Sequence, residues 1–169
     1  MDQDSGNVDL EIIVKGTPEG HKQELRLWLR MLSTTNLISQ EVRRRLRAQF
    51  GMTLPQFDLM AQLDREPAGL RLGELSKRMM VTNGNVTGLV DRLESDGLIS
   101  RESADGDRRV TVARLTAKGR DTFAAMAHAH EGWLSDMLAD VEPRLVAATL
   151  RDLGVVKASV AAHLTAGED

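Results

Sequence analysis

Residues 82–115 read TNGNVTGLVDRLESDGLISRESADGDRRVTVARL, and the spacing of apolar residues changes period within this stretch. Thr82 is a helix-capping residue type. After it, Val86, Leu89, Val90 and Leu93 recur at short helical steps, which places them on one side at 100° per residue. Gly97 stops that helix, because glycine takes a left-handed backbone without strain. Leu98–Ser103 and Arg108–Leu115 then read as two strands around Ala104-Asp105-Gly106-Asp107, where Asp-Gly is a strong hairpin signal. A recognition-type helix followed at once by a hairpin is the second half of a winged helix-turn-helix.

The flanking sequence completes that unit. Thr53-Leu54-Pro55-Gln56 is a helix start, with Thr as cap, Gln three residues on and Pro inside the first turn. The helix it opens runs to about Arg65, with Phe57, Met60, Ala61 and Leu63 apolar. Pro67 and Gly69 break the chain, and a short helix follows at Leu72–Met79. Before this unit, Leu25, Trp28, Leu29, Leu32, Ile38, Val42, Leu46 and Phe50 give a helical pattern from His21 until Gly51. After it, Thr116 caps a helix to Leu138, and Asp140 and Pro143 introduce a last helix ending near Leu164. The expected fold is mainly α with a small β-hairpin wing. Its parts are a flexible arm (1–20), a first dimerisation helix (21–52), a winged helix-turn-helix that binds DNA (53–115) and two further dimerisation helices (116–169). Long helices flanking so small a head bury little alone, and pairing with a second copy is the simplest remedy, since symmetric dimers are the commonest oligomers.

The helix from Thr82 carries the candidate reading residues. Opposite its apolar stripe stand Gly84, Thr87, Gly88, Asp91 and Ser95, with Asn85 and Arg92 at the edge. Each glycine inside a helix costs on the order of 1 kcal/mol relative to Ala. That cost has a purpose if the backbone must approach the floor of a major groove; otherwise the glycines are merely tolerated. Asn83 and Asn85 suit paired hydrogen bonds to adenine edges, and Thr82 and Thr87 suit phosphate or a thymine methyl. Capping is the competing reading of Thr82. Arg92 either reaches a phosphate or pairs with its neighbours Asp91 or Glu94. In the hairpin, Asp107 is placed to orient Arg109, which would enter a narrow minor groove of enhanced negative potential, and Arg108 beside it is a further DNA-contact candidate.

These residues resemble the MarR family of bacterial regulators. The resemblance lies in Leu54-Pro55-Gln56-Phe57-Asp58-Leu59-Met60, in Leu72-Gly73-Glu74-Leu75-Ser76, and in Val86 through Ile99. It continues in Asp107-Arg108-Arg109 and Leu115-Thr116-Ala117-Lys118-Gly119, so that it covers about residues 22–164. One position departs: Gly88 stands where many members carry a basic residue. The resemblance implies a homodimer built from the first, fifth and sixth helices. Its two recognition helices would enter successive major grooves of a pseudo-palindromic double-stranded DNA operator, with wings in the flanking minor grooves. It also implies a repressor released when an anionic aromatic ligand misaligns the two halves. The stretch Val81–Leu89 is similar to a subgroup controlling hydroxycinnamate catabolism, which senses aryl-coenzyme A thioesters.

Candidate effector residues are Arg26, Trp28 and Arg30 on the first helix and His128 and Trp133 on the fifth, where an arginine could hold a carboxylate and an aromatic could stack on a ring. Arg44 and Arg45 belong to the run Arg43-Arg44-Arg45-Leu46-Arg47. That run is a solvated face, a DNA-phosphate contact or the seat of a phosphorylated ligand. The formal net charge of −3 hides an asymmetry: residues 1–20 carry −4, and residues 21–50 carry +5. Local charge is what a polyanion feels.

Other classes find no support. The chain has no Cys, which excludes disulfides and thiolate chemistry, and its four His make no metal-ligand set. No nucleophile–base–orienter set and no phosphate loop is present, so no enzyme and no cofactor is expected. The absence of a signal pattern and of a long apolar run points to a cytoplasmic protein without membrane contact. Its eight Met are core filler or the adaptable lining of a ligand pocket. The rival class is a winged-helix protein-interaction module, which would need neither the polar outward face nor the wing arginine.

Overall fold

The computed structural model describes residues 23–104 and 107–166, and for 104 and 107–110 it describes the backbone alone. The arm at 1–20 lies outside the described residues. So do Asp105, Gly106 and the side chains of Asp107, Arg108 and Arg109. The chain divides into two compact units, one ending at Glu131 and one starting at Gly132.

In the first unit, helix α1 spans Gln23–Phe50 and buries Leu29, Val42 and Leu46. Only part of its expected apolar stripe is covered: Leu25 and Trp28 stay exposed, as do Leu27 and Leu37 off the stripe. Gly51 ends α1 in the left-handed region (φ 64°). Its N–H donates to the Arg47 carbonyl and that of Met52 to the Leu46 carbonyl, at 3.1 and 3.3 Å, so the last carbonyls are not left bare.

Helix α2 (Leu54–Asp64) begins with the capping box read in the sequence. The Thr53 N–H donates to Gln56 Oε1 at 2.9 Å, and the Gln56 N–H donates to Thr53 Oγ1 at 3.4 Å. This pairing lets Gln56 sit buried among apolar neighbours. Leu59, absent from the expected apolar face of α2, is fully buried beside Met60.

Strand β1 (Leu70–Arg71) leads directly into α3 (Leu72–Met79). Met80, with φ 54°, turns the chain toward α4 (Asn83–Ser95), and Gly97 (φ 73°) follows that helix. Strands β2 (Ile99–Ala104) and β3 (Asp107–Leu115) form the hairpin, shifted by one residue at three of the four expected ends. The sheet has three strands in the order β1-β3-β2 rather than two. β1 pairs antiparallel with β3 through Leu70 opposite Ala113, and a register irregularity falls between Ser103 and Ala104.

The core of this unit lies where α1, α2, α3, α4 and the sheet meet. Leu46, Leu59, Met60, Leu63, Leu75, Val86, Val90, Leu93 and Ile99 are all essentially inaccessible there. Helix α5 (Ala117–Met137) adds Met126 to this set. Phe57 of α2 packs against the rings of Phe123 and His130, at 5.6 and 5.1 Å between centroids.

The second unit holds the end of α5, where Trp133 is buried, and helix α6 (Pro143–Ala166). No residue of α6 is buried. Leu150, Leu153, Val160 and Leu164 fall within about 80° of one another around it, and all four are exposed.

Candidate DNA-reading interface

Helix α4 is held from one side only. Val86, Val90 and Leu93 are fully buried, while Leu89, on the same stripe, is half-buried. The other side is open: Thr82, Asn83, Gly84, Asn85, Thr87, Gly88, Asp91, Arg92 and Ser95 are all exposed. Thr82 Oγ1 accepts from the Asn85 N–H at 3.4 Å, as a helix cap does. Thr87 Oγ1 donates to the Asn83 carbonyl at 3.0 Å, and the residue remains exposed.

The two glycines have no internal reason to be glycine. A Cβ built on Gly84 or Gly88 meets nothing within 4 Å, and neither carries a positive φ. Each lowers helix stability by about 1 kcal/mol relative to Ala without relieving any clash inside the chain. Their effect is a bare strip of backbone on the exposed face, which permits close approach by something outside the molecule.

Arg92 pairs neither with Asp91 nor with Glu94, as the sequence suggested, but with Asp96 at 3.3 Å across one turn. Asp91 and Glu94 are taken instead by Arg101 of β2, a residue the sequence did not single out. Arg101 Nη1 donates to Asp91 Oδ1 at 2.5 Å, and its Nε donates to Glu94 Oε2 at 2.8 Å. The guanidinium holds the Glu94 carboxyl below the usual carboxylate range by hydrogen bonding and charge, and its own pKa is pushed up by the same contacts. Two negative charges on the reading helix are thus partly offset by a cation from the wing, and repulsion of a polyanion falls accordingly. No spacing rule connects residue 101 to residues 91 and 94, because the contact exists only once the hairpin folds back along α4.

The wing backbone follows α4 directly, but the roles read for Asp107, Arg108 and Arg109 rest on side chains outside the described residues. The candidate effector residues are spread out. Arg26 and Trp28 lie along α1 about 25 Å from Arg44 at 1.5 Å per residue; Trp28 and Arg30 are exposed and Arg26 is half-buried. His128 is exposed on α5, and Trp133 is buried in the second unit.

Arg44 stands with Arg43, Arg47, Thr53, Leu54 and Pro55 around a cleft of about 520 Å³ between the end of α1 and the start of α2. Arg45 is not in its lining and pairs with Glu41 at 2.5 Å. Arg44 grips the same carboxylate with two hydrogen bonds of 2.7 Å, and together the two guanidiniums lower the Glu41 pKa to about 2. A second cleft, of about 430 Å³, includes Phe57, Asp58, Arg65 and Arg78. Asp58 is exposed at its surface, yet partial desolvation in this cleft raises its pKa, and nearby His130 and Arg43 only partly offset the rise. Among the described residues no group of His, Asp and Glu could hold a metal ion, and no helix is long and apolar enough to cross a membrane.

Residues 52–111, which include the capped start of α2 and end in the wing, match the model of the MarR family. The chain is 35% identical to a MarR family transcriptional regulator from Silicibacter pomeroyi of known structure. That likeness covers 85% of this chain and 99% of the other, with a TM-score of 0.69. It is 29% identical over 137 residues to the transcriptional activatory protein BadR of Rhodopseudomonas palustris, covering 78% of each. FabT of Streptococcus pneumoniae, solved in complex with DNA, shares the fold at a TM-score of 0.68 and 22% identity, over 81% of this chain and 96% of that one.

Proposed function

This chain belongs to the MarR family of DNA-binding transcriptional regulators, and from that premise we propose that it acts as a homodimer on a pseudo-palindromic operator and lets go when a small aromatic acid or its coenzyme A thioester binds. The chain is a regulator and not an enzyme. The observation that carries the proposal is the face of α4, where two glycines that nothing inside the molecule requires sit among short polar side chains.

In this reading Asn83 and Asn85 contact base edges, and Thr82, Thr87 and Arg92 contact backbone or a thymine methyl. Gly84 and Gly88 let the helix backbone reach the groove floor. Arg109, oriented by Asp107, serves the minor groove, and Arg108 adds a DNA contact beside it. Residues 53–115 form the DNA-binding part. The exposed apolar residues of α1 and α6, together with α5, supply the dimer contact, and residues 1–20 form an arm. The effector's anionic end sits among Arg43, Arg44 and Arg47, where guanidiniums suit carboxylate or phosphate and Leu54 and Pro55 suit an organic body.

The test is a gel shift on DNA upstream of the protein's own gene, with salt varied and with an aromatic acid or its coenzyme A thioester added. Affinity should fall steeply between low and moderate salt, and one of the two compounds should abolish the shift. Salt-insensitive or absent binding moves the protein to the interaction-module class, and a shift indifferent to both compounds removes the effector part alone. A promoter fusion sets the sign of regulation. The likeness to a protein named as an activator favours activation, and increased expression on deleting the gene decides for repression.

A further inference from the structure

The last carbonyls of the turn that closes α4 are taken by the first turn of α5. Lys118 Nζ donates to the Asp96 carbonyl at 2.8 Å, Thr116 Oγ1 to the Gly97 carbonyl at 2.8 Å, and the Thr116 N–H to the Leu98 carbonyl at 3.0 Å. The Gly119 N–H closes the set by donating to Thr116 Oγ1 at 2.9 Å. At Gly119 the two segments come so close that an added Cβ would lie 1.9 Å from the Leu98 carbonyl oxygen and 2.9 Å from its carbon. Gly119 has no positive φ, so contact alone demands glycine there. This differs from Gly84 and Gly88, whose surroundings are empty.

From this junction we infer that Thr116, Lys118 and Gly119 are positioning residues that set the angle of the reading helix against α5, and so select the half-site spacing of the operator. The inference rests on the reading of the chain as a dimer on paired half-sites. The reading residues begin at Thr82, at the far end of α4 from the junction, about 20 Å away along a helix of 13 residues. A tilt at the junction is therefore magnified where bases are read. Besides this junction, the Phe57–Phe123–His130 packing ties the head to α5. The aromatic contact can slide by rolling rings over one another. The junction has less room to move, since at Gly119 and Leu98 backbone meets backbone with no side chain between them. In a dimer whose long helices fix the separation of two heads, that rigid angle determines where the second recognition helix meets its groove. One base pair of error in spacing rotates the second half-site by about 35°.

Selection from a random duplex library with the full chain tests this. The wild type is expected to return inverted repeats of a single spacing. Gly119→Ala should return the same half-site sequence with its spacing broadened or moved by about one base pair, and should bind the wild-type operator about tenfold less tightly. Binding to a duplex bearing a single half-site should be unchanged. Lys118→Met and Thr116→Val loosen the junction without inserting an atom between the backbones. They should act in the same direction more weakly, with wild-type circular dichroism, and they decide the matter if Gly119→Ala does not fold. Unchanged spacing in the folded variants, or a loss shared equally by the single half-site, overturns the inference and leaves the junction as a stability contact. A wild-type chain that returns only isolated half-sites overturns the paired-site reading itself, and the junction's role with it.

Discussion

Helix α4 spans 13 residues and hides three of them completely, whereas α6 spans 24 and hides none. Both carry enough Leu and Val to bury a face. In α4 those residues stand on one stripe and meet α3, α2 and the sheet of the same chain, so the head is complete in one copy. In α6, Leu145, Leu150, Leu153, Val155, Val160 and Leu164 remain exposed. Each would gain about 1.5–3 kcal/mol on full burial. The comparison separates two cases: the reading head draws on its own core, whereas the apolar residues of α6 are left uncovered among the described residues.

The sharpest break in that contrast comes from charging α6. Leu153→Glu together with Leu164→Glu should convert the dimer to a monomer in sedimentation. It should also weaken operator binding by about a hundredfold or more, the avidity lost when two linked contacts become one. A double variant that stays dimeric assigns the interface elsewhere. Next in size, Leu93→Ala should destabilise the head by about 2–5 kcal/mol in denaturant unfolding, the cost of a cavity at a fully buried site. Leu150→Ala, exposed in one chain, should stay within about 0.5 kcal/mol in any monomeric form. Equal losses from the two would erase the distinction between the regions.

Asn85→Ala sharpens the comparison at the outer face of α4. It should weaken operator binding by about 1–3 kcal/mol relative to random DNA, measured by anisotropy, and leave unfolding unchanged because Asn85 is exposed. An equal loss on both DNAs makes it a backbone contact. The smallest effect concerns pH. Partial desolvation raises the pKa of the surface-exposed Asp58 in the folded chain, so the native state binds the proton slightly more tightly than the unfolded state. Stability is then greatest below the ordinary carboxylate pKa and declines as pH rises through the raised value. Asp58→Asn should therefore be more stable than wild type at neutral pH, with the difference gone in acid. Urea unfolding at both pH values measures this, and a less stable Asn variant at neutral pH would mean that the charges of His130 and Arg43 outweigh the desolvation.

The helices and the hairpin were legible because each had a local cause. Thr53 with Gln56, Thr82, Gly51 and Gly97 mark helix ends through bonds spanning a few residues, and α1 ends, α2 begins and α4 begins and ends where those signals place them. Strand β1 was not legible, since two residues have no period and Leu70–Arg71 becomes a strand only by pairing with Ala113 and Val112. Leu59 is buried just beyond the expected face because the covered arc of α2 is wider than the stripe of Phe57, Met60, Ala61 and Leu63. In the candidate site, the exposed face of α4 could be read from a helical wheel. The grip of Arg101 on Asp91 and Glu94 could not, as it joins different elements.

By itself, the sequence determined the order of helices and hairpin, the capping residues and the polar face of the reading helix. All of these depend on interactions within a few residues or on periodicity along one element. The tertiary structure alone decided which carboxylates Arg101 neutralises, which arginines share a cleft with Leu54 and Pro55, and why residue 119 must be glycine. Those outcomes depend on distances between segments far apart in the chain, and such distances exist only after the core has brought the segments together.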